Sequence, residues 1–436
     1  MLPSIIIFLT SYALMVSEKL NRTAAAVFGA LAHRWRAPVG QETARRAWTS
    51  RDSALCLGAA ALGAVAFGRF AGNRFSAAGL AAWLPGFILL AVAAWEPETP
   101  RPERRRGAST CAAAHPRAEC WRGAPGSVNQ GPSLRSGRRM WERWISGRRM
   151  SWRRMSGRRM AAGGITLRWR HLALLAAMAV AAFLRLHRIG EVPLEMGCDL
   201  PHNYDNIRQI LSGEAPIFFP SHPGREGLFF YLAAPLAAVV GLSHTTIKAA
   251  SALIGVLTIP VVYLLGREVC DRETGLVAAL FLAVSHWHVI LTRVGYRAAV
   301  LPPVLALMWL FLARGMRTGG RMAYAVAGLF LGLGFYTYNA SMIVPLLVVL
   351  LLLGEVAAGR GRRLAAHGPG LALLVVTAAY VLIPLARYVY DDPFQYTYRV
   401  ATRLTDLEQP LPADLLGTLL RNAARAAAMF TYEGDA

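Results

Sequence analysis

Apolar residues fill the chain in blocks of 15 to 20, separated by short loops that carry arginine, the pattern of segments that cross a bilayer rather than of a water-soluble core. The opening MLPSIIIFLTSYALMV has neither the charged start nor the small-residue cleavage site of a secretory signal, so it reads as a retained span within an N-terminal hydrophobic segment, residues 1–35. Two further blocks, 54–71 and 76–95, flank the tight Gly72-Asn73-Arg74 turn and predict a transmembrane hairpin over 54–95. Beyond the next segment, arginines gather before His171, at Arg267 and Arg272, at Arg314, Arg317 and Arg321, and at Arg360, Arg362 and Arg363. Basic loops stay on the cytoplasmic side. All four clusters share that side if spans run at about 171–187, 247–266, 274–290, 299–315, 322–338, 341–356 and 369–388, and if the apolar stretch 228–241 does not cross. With 14 residues that stretch is too short to span, so it predicts an interfacial helix inside one long outer loop, 189–245. The fold class expected is therefore all-α, a polytopic transmembrane helix bundle whose outer loop bears juxtamembrane helices. The outer face receives that loop, the segment 291–298, the YTYN turn at 336–339 and the tail from Tyr390, and these segments hold nearly all the unusual polar residues.

Charge changes the picture in one place. The formal net charge is +22, but between Arg101 and Arg170 there are 18 arginines against three glutamates, so this segment alone carries +15. From 96 to 169 the chain is rich in Pro, Gly, Ser and Arg, with SGRRM at 136, 146 and 156 and SWRRM at 151. Self-repulsion and low complexity predict a disordered cytoplasmic linker, either attracted to anionic membrane lipids or a solvated spacer that fixes topology. Nucleic acid is not the partner expected. Five cysteines show no metal-ligand spacing, so neither a disulfide framework nor a zinc site is read, and no cofactor is implied.

Candidate chemistry lies mostly in the long outer loop, where Asp199, His202, Asp205, Arg208, His222, Arg225 and Glu226 follow directly on a span. A helix over Pro201–Leu211 would place Asp199 near its N-cap, where the positive end of the helix dipole holds a carboxylate ionised; a pure capping role fits equally. Arg225 offers the planar fork of donors that matches phosphate oxygens, unless it pairs with Glu226 or with headgroups. His286 and His288 flank Trp287 at a spacing that shares no helix face and lacks a third ligand, so no metal site is read there. Trp287, Tyr336 and Tyr338 read as aromatic-belt anchors.

Several strings in order, FLRLHRIG, then ILSGEAPIFFPSHPGREGLF, then IKAASALIGVLTIPVVYLLGREV, then GLVAALFLAVSHWHVILTRVGYRAAVLPP, resemble the GT-C superfamily of integral membrane glycosyltransferases. The resemblance covers about 170–436 and is nearest to the protein mannosyltransferase (glycosyltransferase family 39), aminoarabinose transferase and RgtA/B/C/D-like branches. It implies sugar transfer, with inversion, from a polyprenyl-phosphate donor to a lipid, glycan or protein acceptor at the extracytoplasmic face of the cell membrane. It also implies a C-terminally truncated domain, since members continue with more spans. Asp199 matches the first residue of the family's Asp-Glu pair, the base for the acceptor hydroxyl, whereas Leu200 stands where Glu is usual and Asp205 is a candidate substitute. His202, Asp205, His222, Arg225, Glu226, Arg293 and Arg297 are the implied substrate-binding candidates, Arg293 for phosphate. Arg297 occupies the region where a second acidic residue is usual, leaving Asp391 or Asp392 to supply it. Separately, IIIFLTSYALMVSEKLNRTAAAVFGA resembles the first helices of sodium/proton antiporters and arsenite pumps, and 1–35 is read as a remnant unrelated to the rest.

A transporter or flippase is the rival reading, and a catalytically inactive GT-C relative the other. A transporter should carry ionisable groups in mid-span, and the spans after His171 hold almost none. The threading predicts that membrane-impermeant maleimide labels Cys198 from outside and Cys270 only from the cytoplasm. The reverse pattern rejects it.

Overall fold

A computed structural model describes residues 48–95, 160–162, 165–167, 169–193, 199–221 and 224–396, with 398, 414, 417–418 and 420–421. The antiporter-like opening, most of the basic segment, Cys198 and His222 lie outside the described residues. Two compact units divide the chain, 1–96 with 173–436, and 97–172. In the smaller unit Met160–Ala162 (β1) pairs antiparallel with Ile165–Leu167 (β2), at the end of the segment read as linker.

The larger unit is a helix bundle. In chain order it contains α1 (Ser50–Arg69), α2 (Ala77–Ala94), α3 (Trp169–Leu186), α4 (Asp199–Leu211), β3 (Phe218–Phe219), β4 (Arg225–Glu226), α5 (Leu228–Val240), α6 (His244–Val269), α7 (Arg272–Val284) and α8 (His286–Arg293). It continues with α9 (Leu301–Thr318), α10 (Arg321–Gly334), α11 (Val344–Glu355), α12 (Gly361–Ala366), α13 (Gly368–Val381) and α14 (Ile383–Asp391). Six helical segments among the described residues are long and apolar enough to cross a membrane, and up to eight if each of two bent pairs is one span. The 13-residue α5 is not among them, in keeping with an interfacial helix.

Three expected spans differ from the structure. The span 274–290 is broken at Ser285, where α7 and α8 meet at 55°. The freed carbonyls of Leu282 and Ala283 accept from the Arg185 guanidinium at 3.3 and 2.9 Å, which satisfies two of the backbone groups that the break exposes. The span 369–388 is broken at Leu382, with 51° between α13 and α14 and Pro384 at the start of the second piece. Tyr336 fills this break: its hydroxyl donates to Val381 O at 3.0 Å and accepts from Leu385 N at 3.2 Å. Tyr336 is therefore a buried hydrogen-bonding group and not a belt anchor. The span 322–338 stops at Gly334, giving a 14-residue helix.

The hairpin α1–α2, expected as a region apart, packs into this bundle. Trp83 Nε1 donates to Tyr380 O at 2.9 Å while Tyr380 Oη donates to Trp83 O at 2.7 Å. Buried Asp52, in the first turn of α1, pairs with Arg321 at the start of α10 at 3.2 Å. At the opposite end the Asn73 side chain reads the backbone of Phe218, accepting from its N at 2.9 Å and donating to its O at 2.7 Å. The turn at 72–74 and the loop before β3 therefore lie at the same end of the bundle.

Two of the cores hold the bundle and the end that carries α4 and α5. Met308, Leu312, Tyr324, Ala327, Val348 and Leu374 join α9, α10, α11 and α13. Leu200, Ile207, Phe219, Phe229, Phe230 and Ile247 seat α4 and α5 on the end of α6. In the first core, helix backbones meet at Gly328, where any Cβ would fall on the Leu374 carbonyl. Gly328→Val is expected to destabilise by about 1–3 kcal/mol, the usual cost of overpacking, read as a lower thermal midpoint in detergent. An unchanged midpoint would refute the α10–α13 contact.

Candidate functional site

The site grows out of a two-residue ladder. Phe218 pairs with Glu226 and Phe219 with Arg225, and neighbouring strand residues point to opposite faces. Arg225 and Glu226, adjacent in sequence, therefore cannot pair with each other. Each finds a different partner.

Arg225 is 2% exposed and turns to α4. Its Nη2 meets Asp199 Oδ1 at 2.7 Å, and its Nη1 donates to Asn203 Oδ1 at 3.1 Å. Asn203 in turn donates to Gly295 O at 3.0 Å, tying α4 to the loop after α8. Asp199 is the first residue of α4, with Pro201 in the first turn, where a missing N–H is harmless. Its side chain is 31% exposed, so the carboxylate is gripped from below and open above.

Glu226 turns the other way and forms a fully buried ion pair with Arg297, in the helical turn Arg297–Val300 before α9. The Arg297 guanidinium lies 5.0 Å over the Tyr338 ring, and Tyr338 Oη meets Tyr296 Oη at 3.1 Å. Tyr338 thus belongs to this cluster and not to an aromatic belt. Burial, then the bond with Tyr338, then the negative charge of Asp199, push the Tyr296 phenol up, so it stays protonated and able to donate. Burial, then Glu226, push up the Tyr396 phenol on the far side. The outcome is two ion pairs beneath a rim of Asp199, Tyr296 and Tyr338.

Other predicted residues fall elsewhere. Asp205 does not replace the carboxylate missing at 200: it faces outward on α4 and pairs with Arg208 at 3.0 Å, because six residues along a helix turn it away from the face carrying Asp199 and Asn203. His202 is half-buried on the flank of α4. Leu200 is 2% exposed in the core, under the left-handed Gly295, where a carboxylate would lose its hydration. Arg225 does not present its guanidinium to solvent, and Arg293 binds the carbonyls of Leu184, His187 and Val192 at 2.7, 2.9 and 2.6 Å. Asp391 pairs with Arg387 at 2.8 Å, and Asp392 accepts from Gln395 N. His288 Nδ1 lies 2.7 Å from Arg185. Asn203 and Tyr296 were not predicted. The signal available was the helical spacing of Asn203 from Asp199, four residues on.

Residues 221–386 match the family model described as dolichyl-phosphate-mannose-protein mannosyltransferase, a stretch that includes Arg225, Glu226, Arg293 and Arg297 and begins after Asp199. Over that stretch the chain is similar to this family. No curated protein matches it. Among solved structures it is similar to the archaeal oligosaccharyltransferase AglB from Archaeoglobus fulgidus in complex with an inhibitory peptide and a dolichol-phosphate (18% identity, TM-score 0.38, covering 60% of this chain and 37% of that one). The apo form of the Archaeoglobus fulgidus oligosaccharyltransferase gives 18% identity and a TM-score of 0.39, over 61% and 38% of the two chains. The chain thus spans less than two-fifths of the length of those proteins.

Removing one member of a buried ion pair leaves the other charge uncompensated. Glu226→Ala is expected to cost about 3–5 kcal/mol, and Glu226→Leu combined with Arg297→Met to restore most of the loss. Thermal unfolding in detergent checks both; equal midpoints for single and double variants would refute the coupling.

Proposed function

We propose that this protein is a GT-C glycosyltransferase that transfers a sugar from a polyprenyl-phosphate donor to an acceptor hydroxyl on a lipid, glycan or protein, at the extracytoplasmic face of a membrane. The observation that carries the reading is the Asp199–Arg225–Asn203 arrangement: a part-exposed carboxylate held in one orientation by a buried guanidinium, at the end of a helix bundle. A base must be fixed in reach of the proton it takes. Asp199 Oδ takes the acceptor proton, the acceptor oxygen bonds to the anomeric carbon, and the carbon–oxygen bond to phosphate breaks, its electron pair leaving with the polyprenyl phosphate. Arg225 then acts as a positioning residue for Asp199, and Tyr296 and Tyr338 offer hydroxyls at the rim. The description of the matching family, which names a dolichyl-phosphate sugar, supports a donor of this class.

The test uses the full chain in nanodiscs with a panel of radiolabelled polyprenyl-phosphate sugars and a membrane extract as acceptor. Asp199→Asn is expected to lower transfer by about 10²–10⁴-fold, the range for loss of a general base, while the protein still expresses and its thermal midpoint, lowered by loss of the charge opposite Arg225, stays above the assay temperature. Transfer at the wild-type rate in that variant would remove Asp199 from the reaction.

A further inference from the structure

The turn between α1 and α2 does more than close a hairpin. Gly72 and Asn73 both stand in the left-handed region, at φ of +74° and +56°. The residues that follow run antiparallel to 215–217: Arg74 bridges to Pro216, Phe75 N donates to Ala215 O at 2.8 Å, and Ile217 N donates to Asn73 O at 3.2 Å. One residue further on, the Asn73 amide takes over from the backbone at Phe218, accepting from its N at 2.9 Å and donating to its O at 2.7 Å. Asparagine suits the position twice, since it tolerates a left-handed backbone and carries an acceptor and a donor on one planar group.

Phe218 lies in the ladder that carries the site. Opposite residues of an antiparallel pair alternate between those that exchange backbone hydrogen bonds and those that do not. With both backbone groups of Phe218 given to Asn73, the exchange with β4 falls to Phe219 and Arg225. One such pair is too little to hold a register, yet this register is the one in which Arg225 reaches Asp199 at 2.7 Å. We infer that Asn73 is a positioning residue for Asp199: it fixes β3 from the edge away from β4, β3 fixes β4, and β4 aims the Arg225 guanidinium at the carboxylate. The inference rests on the proposed role of Asp199 as the base and goes beyond it, because the clamp comes from a hairpin outside the stretch 221–386 that matches the family model.

A double-mutant cycle on the full chain in detergent, read as thermal midpoints, tests this. Asn73→Gly keeps the left-handed backbone free of strain and removes both side-chain bonds. In the wild-type background Asp199→Asn lowers the midpoint, because Arg225 loses its counter-charge. In the Asn73→Gly background it is expected to lower it by less than about half as much, since the pair is already displaced. Thr49→Ala removes the N-cap of α1 at the other end of the same hairpin, and is expected to leave the Asp199→Asn loss at full size. In the transfer assay Asn73→Gly is expected to lower kcat by about 10- to 100-fold with KM for the polyprenyl-phosphate sugar within about threefold, whereas Thr49→Ala keeps kcat. An Asp199→Asn loss of equal size in the wild-type and Asn73→Gly backgrounds overturns the inference, as does an equal decline of kcat in Asn73→Gly and Thr49→Ala. The midpoints require no transfer, so they decide whether Asn73 holds Asp199 even if Asp199→Asn transfers at the wild-type rate and the reading of Asp199 as the base falls.

Discussion

The site depends on a ladder of two residues. Because Arg225 and Glu226 stand on opposite faces of β4, one strand step sends a cation to Asp199 and an anion to Arg297. Slippage by one residue would exchange them, placing Glu226 against Asp199 and Arg225 against Arg297, and both couplings would become repulsive. So short a strand pair cannot hold its own register. Asn73, from the turn between α1 and α2, holds it by bonding both backbone groups of Phe218, and Phe230 and Phe219 pack beneath with ring centroids 4.9 Å apart. The N-terminal hairpin therefore contributes to the site through the strand it clamps.

The membrane portion solves a related problem with the same type of device. A break inside a span exposes carbonyls and amides that lipid cannot satisfy. At Ser285 the donor is Arg185, arriving from α3; at Leu382 it is Tyr336, arriving from the turn after α10. Arg293, on the piece after the first break, returns to the C-terminal carbonyls of α3. Helices α3 and α8 are thus latched in both directions, which fixes the end of α3 from which the chain runs on toward Asp199.

How much of this was legible depends on the range of each interaction. Apolar blocks are local signals, and they placed the order of the helices and the short apolar α5. The breaks at Ser285 and Leu382 were not legible, because the groups that make them tolerable lie 45 to 98 residues away in sequence. Nor was the choice of partner for Glu226, which the single-strand alternation between 225 and 226 would have excluded from Arg225. The angular argument against Asp205 was available, and the structure shows its force.

The distribution of buried charge bears on what kind of membrane protein this is. Asp52 and Arg321 lie at helix starts, Arg185 in the last turn of α3, Lys248 in the first turn of α6, and Arg297 in the turn before α9. A path for ions or solutes through the bundle would place such groups midway along the helices, at the centre of the bilayer. Here they concentrate at the ends, and the middle of the bundle is closed by aromatic, aliphatic and glycine contacts such as Leu312 with Tyr324 and Gly328 with Leu374. An apolar molecule in the bilayer can approach such a bundle from the side, while its polar head meets charged groups at the ends of the helices. The proposed reaction joins a lipid-borne phosphate to a water-borne hydroxyl, and two such reactants meet where the bilayer stops.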